Sequence, residues 1–325
     1  MVNNKPMNAL TFSRFGTSGV LEYKEVANPE LKAGEILVEM KAIGLNYADI
    51  MRRSGIYPLK GDAPYINGYE GAGVVINDNH LPNFKIGDRV AFADVPFANA
   101  DLVAVPDTHA IPLPDEISFD AAASVLLQGL SAHFLATDCH KTMHGETVLI
   151  HAAAGGVGQL LMQICKILGA NIIGLTSSDS KKQIALSLGA DDVFLYTEHW
   201  KEKILTIKPA GVDAVFDSIG STMQDSLRVT KVRGQVVFFG LSGGEFNLGN
   251  PLYIIGTSKT ITGGDLWDYL TSKEERLIRA TQLFNWVTEG RIKISPPTKF
   301  KLAEGKQAHD FMESRSSTGK ILMTP

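Results

Sequence analysis

Two cysteines in 325 residues cannot build a disulfide framework or fill a four-thiolate zinc site. Excess charge of either sign is also lacking: 31 lysines and arginines against 35 aspartates and glutamates leave a formal charge of −4. That balance argues against bulk attraction to nucleic acid or to an anionic membrane. No run approaches 18 apolar residues, so no transmembrane helix is expected. The opening residues, MVNNKPMNALTF, hold no long apolar stretch, so a secretory leader is not expected and a cytoplasmic location is. Internal repeats of 20–50 residues and low-complexity linkers are missing too. What is there, 44% hydrophobic and 20% charged residues, suits a soluble globular chain, and the length suggests about two domains.

The texture changes near residue 115. Before it come short β-like runs broken by Gly, Pro, Asn and Asp: EILVEMKAIGL (35–45), GAGVVIND (71–78), GDRVAFADV (87–95) and DLVAVP (101–106). They predict a compact β-rich domain. From Ser118, an expected N-cap with Asp120 in the first turn, the pattern turns helical. Strand and helix signals then alternate: strands at 147–153, 171–178, 192–196, 212–220, 234–240 and 259–264, helices at 156–169, 179–189 and 273–290. Short all-apolar strands alternating with helices predict a parallel sheet buried on both faces. The tail, 291–325, reads as strand-like and polar text that completes the first domain. The expected fold is α/β, a doubly wound parallel sheet over 118–290 with a β-rich domain of 1–117 and 291–325.

The sharpest motif is HAAAGGVGQL, 151–160. Aligned to G-x-G-x-x-G it reads Ala153-x-Gly155-x-x-Gly158, after a strand and opening a helix, the context the motif requires. Gly155 lets the backbone approach a pyrophosphate and Gly158 lets the helix pack on the strand. The helix N-terminus offers free N–H groups and positive potential to phosphate. An acid about 20 residues on would mark a ribose 2′-hydroxyl partner. Here Thr176, Ser177 and Ser178 stand near that place, and Lys181 and Lys182 follow. Hydroxyls with a lysine suit a 2′-phosphate, so NADPH is the expected cofactor. Asp179 is expected as an N-cap or first-turn acid.

Several segments together resemble the zinc-free quinone oxidoreductase branch of the medium-chain dehydrogenase/reductase superfamily. They are VEMKAIGLNYADIMRRSGIYP (38–58), GYEGAGVV (68–75), GDRVAF (87–92), HAAAGGVG (151–158), FDSIG (216–220), FFGLSGG (238–244) and ESRSSTGKIL (313–322). The resemblance runs nearly end to end. It implies a GroES-like catalytic domain formed by both ends of the chain and a Rossmann domain between them. Zinc-dependent members of the superfamily carry a catalytic cysteine, a Gly-His-Glu motif and a four-cysteine lobe. This chain has Asn46 and Gly68-Tyr69-Glu70 at the first two places, and no lobe. Cys139, His140 and His144 are close in sequence, but a polar helix end accounts for them, and no metal is expected. His151 is expected as a half-buried strand residue.

The resemblance also implies roles. Asn46, Asp49, Ala153, Gly155, Gly156, Val157, Gly158, Ser177, Lys181, Tyr196, Gly240, Leu241, Ser242 and Arg315 match cofactor positions. Lys181 and Arg315 are candidates for the adenosine phosphate, Tyr196 for the adenosine end, and Gly240 to Ser242 for the carboxamide. Asn46, Tyr57 and Gln128 face the reacting end. Their alternatives are a turn residue, a packed aromatic and a helix-face residue. Without a metal Lewis acid, a conjugated acceptor takes hydride more readily than an alcohol is oxidised, because the new charge delocalises. The expected activity is NADPH-dependent reduction of a quinone. The alternatives are reduction of the C=C bond of enones, alkenals or enoyl thioesters, and a non-catalytic NADPH-binding protein with a structural or RNA-binding role. A homodimer is expected through an outer strand at Thr260-Ile261-Thr262.

Overall fold

The computed structural model describes residues 5–244 and 246–325. Contacts group the chain into two units: 1–127 with 271–289 and 294–325, and 128–270 with 290–293. The first unit therefore reaches further than residue 117 and also takes up the helix Lys273–Thr288. Polar ties explain both additions. The Leu127 N–H donates to the Glu70 carboxylate at 2.7 Å, Lys273 donates to Asp107 at 3.1 Å, and Arg276 to Asp94 at 3.4 Å.

In the first unit the strand Glu35–Leu45 is the organiser. Its eleven residues are long enough to pair with Glu70–Asn77 along one edge and with Leu102–Pro106 and Ile321–Thr324 along the other. The sheet runs Thr298–Lys301, Ile321–Thr324, Glu35–Leu45, Glu70–Asn77, Arg89–Ala93, Ile111–Pro112. A second sheet joins Glu22–Val26, Met7–Phe12 and Tyr65–Ile66. Ile36, Val38, Ile43, Phe92, Val105 and Met323 are buried in the core between these elements. The tail is more than strand: Gly305–Glu313 is a helix. It is fixed by buried polar groups, because the Arg53 guanidinium bonds His309 Nδ1 at 3.0 Å, the Glu313 carboxylate at 2.9 Å and the Gly16 carbonyl at 3.1 Å.

The second unit carries a six-stranded parallel sheet ordered Asp192–Leu195, Asn171–Thr176, Thr147–Ile150, Val212–Asp217, Thr230–Phe238, Thr260–Gly263. Leu149, Leu175, Val215 and Val236 are fully buried, as two covered faces require. Chain order reverses between Thr147–Ile150 and Val212–Asp217, so the switch point of this doubly wound sheet lies at their carboxyl ends. Thr260–Gly263 is an edge strand.

Ser118 does cap the helix Phe119–Phe134, accepting from the Ala121 N–H at 3.1 Å, and a π-helical turn, Leu135–Cys139, extends it. Over Phe119–Cys139 this helix is long and apolar enough to cross a membrane, against the expectation from apolar runs, yet 72% of its apolar window is buried inside the protein. Burial to that extent is the state of a core helix. Cys139 and Cys165 are both buried thiols.

Candidate active site

The strand Thr147–Ile150 delivers the chain to His151, and the helix Gly156–Ile167 starts five residues later with Gly155 as its N-cap. Between them Ala152 holds a left-handed turn at φ +48°, its carbonyl accepting from the Gly155 N–H at 2.8 Å. The glycines are sterically required. A Cβ on Gly158 would collide with the Ala152 carbonyl oxygen, and one on Gly156 would collide with Gln128 Oε1. Gln128 is thus a buried side chain lying against the start of the helix. Ala153 is fully buried and Val157 half-buried in the same loop. Gly155, Gly156, Val157 and Gly158 therefore open a twelve-residue helix at the switch point, the cradle a pyrophosphate needs.

His151 is not half-buried. It is fully enclosed, 3.2 Å from the Tyr196 hydroxyl through Nδ1 and 3.0 Å from Ser226 Oγ through Nε2. Ser226 donates to Asp217 at 2.7 Å. Tyr196 accepts from the Ala152 N–H at 2.9 Å, so its hydroxyl is engaged with the glycine loop. Burial lowers the His151 pKa and raises that of Tyr196. Burial also works to raise Asp217, but the facing His151 and the bonds from Ser226, Ile219 and Thr222 outweigh it and hold the carboxyl low.

The remaining predicted residues of this unit follow two other strands of the parallel sheet, at their carboxyl ends. Ser177 ends Asn171–Thr176 in an exposed position. Ser178 caps the next helix by accepting from the Lys181 N–H at 3.4 Å, which leaves Asp179 as a first-turn acid. Burial lowers the Lys181 pKa. Beyond Thr230–Phe238, Ser242 donates to the Ser218 carbonyl through N and Oγ at 3.1 and 3.0 Å. A Cβ on Gly240 would lie 2.9 Å from that carbonyl, and Leu241 is exposed.

In the first unit Asn46 and Asp49 belong to a buried polar cluster. Asn46 precedes the helix Tyr47–Arg53, and its N–H donates to Asp49 at 2.9 Å. Its side-chain amide donates to Glu70 at 2.8 Å and accepts from Lys320 at 2.8 Å. Lys320 also donates to Glu70 at 2.6 Å, with the lysine side chain 3% and the glutamate 0% exposed. Gly44 leaves room for this pair, since a Cβ there would collide with the Glu70 carboxylate. Burial pushes Asp49 up to about 6, against the pull of Arg52 at 3.3 Å and the Asn46 N–H. The Arg52 guanidinium stacks 3.6 Å over the Tyr69 ring. Lys320 and Arg52 escape a reading of the sequence, and Tyr69 and Glu70 enter it only as the departure from Gly-His-Glu. Glu70 and Lys320 lie inside the quoted segments, but only the fold brings residues 250 positions apart together.

Tyr57 and Arg315 stand apart from this cluster. Tyr57 is 42% exposed beyond the helix Tyr47–Arg53, and Arg315 is exposed at φ +59° after Gly305–Glu313. His140 bonds Glu146 at 3.0 Å and Gln235 at 2.8 Å. Among the described residues no three His, Cys, Asp or Glu side chains group as a metal-ligand set.

A parallel sheet with a glycine cradle at its switch point, in one chain with a β-rich unit built from both chain ends, defines a nucleotide-dependent dehydrogenase or reductase. Comparison with known proteins narrows this. Residues 32–115 match the alcohol dehydrogenase GroES-like domain family, and residues 156–281 match the zinc-binding dehydrogenase family. A quinone oxidoreductase of Pseudomonas aeruginosa is 36% identical over 323 residues, covering 97% of this chain and 99% of that one. A 2-haloacrylate reductase from Burkholderia sp is 32% identical, covering 90% and 91%. The Escherichia coli quinone oxidoreductase solved in complex with NADPH superposes with a TM-score of 0.91 at 33% identity, covering 98% of this chain and all of that one. The chain belongs to the medium-chain dehydrogenase/reductase superfamily, in its quinone oxidoreductase branch.

Proposed function

We propose that this protein reduces a quinone with NADPH and without a metal. The carrying observation is the glycine cradle of 155–158 followed by a strand that ends in Thr176 and Ser177, not in an acid, with the half-buried Lys181 in the next helix. Bound there, NADPH would supply the hydride. Gly155 and Gly156 would present N–H groups to its diphosphate, Ser177 and Lys181 would face its 2′-phosphate, and Gly240, Leu241 and Ser242 would take the carboxamide; Arg315 is the further cation that the resemblance implies.

The metal-free half of the reading rests on donor chemistry in the first unit. Where zinc-dependent members bring a thiolate, this chain has the Asn46 amide, and the Lys320 ammonium already lies between Asn46 and Glu70. Zinc binds thiolate, imidazole and carboxylate groups, and a fixed ammonium opposes a dication. Asn46 then orients, Tyr57 offers a ring and a hydroxyl to a flat acceptor, and Gln128 borders the helix start. None of these polarises a carbonyl as zinc does, which favours an acceptor that spreads charge by itself. The Burkholderia relative, named for a haloacrylate, supports a second reading: reduction of an activated C=C bond on the same site.

One panel tests both. Quinones and enones are run with NADPH and with NADH, with zinc measured on the same preparation. Quinone turnover favouring NADPH, unchanged by chelator, is expected. Turnover of enones alone supports the second reading. About one zinc per chain refutes the metal-free reading. Pairing of the Thr260–Gly263 edge across a two-fold axis would make the protein a homodimer, which sedimentation at micromolar concentration checks.

A further inference from the structure

His151 is a wholly buried titratable side chain that the proposed chemistry leaves unused. Its bonds form one chain from the glycine loop to the loop on the other side of the switch point. The direction of every proton in that chain can be deduced. The Ala152 N–H can only donate, so Tyr196 accepts from it. The Asp217 carboxylate can only accept, so Ser226 donates to it and must accept from His151 Nε2–H. A neutral His151 that donates through Nε2 accepts through Nδ1, so the Tyr196 O–H donates to it. Asp217 also receives the N–H groups of Ile219 and Gly220, at 2.8 and 3.1 Å, and the Thr222 hydroxyl. One carboxylate thus grips the 218–222 loop directly and the glycine loop through three side chains.

The end of the chain falls on a strained spot. Ala152 is a non-glycine residue in the left-handed region, a conformation that its Cβ disfavours. Its N–H is held by Tyr196, while its carbonyl takes the Gly155 N–H and lies beneath Gly158. We infer that His151, Ser226 and Asp217 are positioning residues that act through Tyr196 to hold the Ala152 turn, and so set the affinity of the glycine loop for the diphosphate shared by both nicotinamide dinucleotides. The inference rests on the proposed function, in that the loop must hold a dinucleotide.

Because the diphosphate is common to both cofactors, breaking the chain weakens both equally, unlike loss of a 2′-phosphate contact. Ser226→Ala cuts the chain at a buried atom away from the loop, and His151→Phe removes its centre with a ring of comparable bulk. Titration calorimetry with NADPH and with NADH gives the dissociation constants, and saturating kinetics gives kcat. The expected rise is about tenfold for each cofactor, the scale of one ordering hydrogen bond, with kcat at saturation within about twofold of the parent. Adding Ala152→Gly, which adopts the left-handed turn without strain, should recover much of the lost affinity in the Ser226→Ala background. A lower Tm with both dissociation constants unchanged overturns the inference, as does a loss confined to NADPH. If the unaltered protein binds neither dinucleotide, the functional reading fails with it; if it binds both and the variants bind as well, only the inference falls.

Discussion

Removing the Lys320 ammonium is the most informative perturbation of the first unit. Lys320→Met keeps most of the side chain's bulk and deletes the charge. Among the described residues Glu70, fully buried, then keeps only the Asn46 amide and the Leu127 N–H as donors. Breaking a buried pair by removing one partner costs about 3–5 kcal/mol, because an uncompensated charge stays buried. Unfolding entropy is about 2.1 cal/mol/K per residue, and the first unit holds about 180 residues. If that unit melts by itself, Tm falls by about 8–13 °C; if the whole chain melts in one transition, by about 4–7 °C. The companion variant, Lys320→Met with Glu70→Gln, removes both charges. The new amide would accept from the Leu127 N–H through its oxygen and donate to a flipped Asn46 amide, whose NH2 then gives up its bond to the Gly44 carbonyl. Neutral replacement of a buried pair is close to isoenergetic, and the double variant should recover to within about 1–2 kcal/mol of the parent. Thermal melts by circular dichroism and urea titration measure both. A single variant that melts within about 1 °C of the parent, or a double variant as unstable as the single, refutes the reasoning.

Lys181→Ala should raise the KM for NADPH by about one to two decades, the worth of a hydrogen bond to a charged group, and spare NADH; equal loss with both cofactors would remove Lys181 from the 2′-phosphate. Tyr57→Phe and Asn46→Ala should each lower kcat/KM for quinones by roughly tenfold or more; Asn46→Ala alone should also lower Tm, since it breaks the bonds to Glu70 and Lys320. Near-parental kcat/KM in both would place these residues outside the reacting end. His309 and Asp49 make opposite contributions to acid stability. Burial, then Arg53, pushes His309 down to about 3 from 6.5, so below pH 6.5 the unfolded chain takes a proton that the folded one refuses. Stability is lost on acidification, by about 2 kcal/mol at pH 5. Asp49, raised to about 6 from 3.8, does the reverse: the folded state takes a proton first, and stability is regained as pH falls from 6 towards 3.8, by about 1 kcal/mol at pH 5. Relative to the parent, His309→Gln should gain stability between pH 7 and 5 and Asp49→Asn should lose it, by urea titration across that range; the same slope in both variants contradicts the assignment.

Much of the fold is written in local pattern. The apolar strands from 147 to 263 and the helices Gly156–Ile167 and Asp179–Ser187 follow from period and capping alone, and Glu35–Leu45 is legible to its last residue. The helices Trp200–Ile207 and Gly305–Glu313 are not, because neither N-cap residue, His199 or Glu304, makes a side-chain capping bond. The glycine loop is legible from its spacing between strand and helix, and Gly158 answers a clash within the loop itself, with the Ala152 carbonyl oxygen. The Asn46–Glu70–Lys320 cluster and the His151 chain are not, since nothing near Lys320 or Ser226 in sequence announces a buried partner 250 or 75 positions away. The same applies to His151, whose full burial depends on Trp200 and Tyr196 meeting it from later segments.

The long strand Glu35–Leu45 waits for a partner from far along the chain. Ile321–Thr324 pairs along Ile43–Leu45 and brings Lys320 to Glu70. About 275 residues separate the two strands. At about 5–20 residues per second of synthesis, that is roughly 15–55 s. During that time the second unit's parallel sheet can close, while the first keeps an open edge and a buried-to-be carboxylate without its ammonium. The vulnerable interval in making this protein therefore belongs to the unit that emerges first. Arrival of Ile321–Thr324, and not the emergence of its early strands, is what completes it.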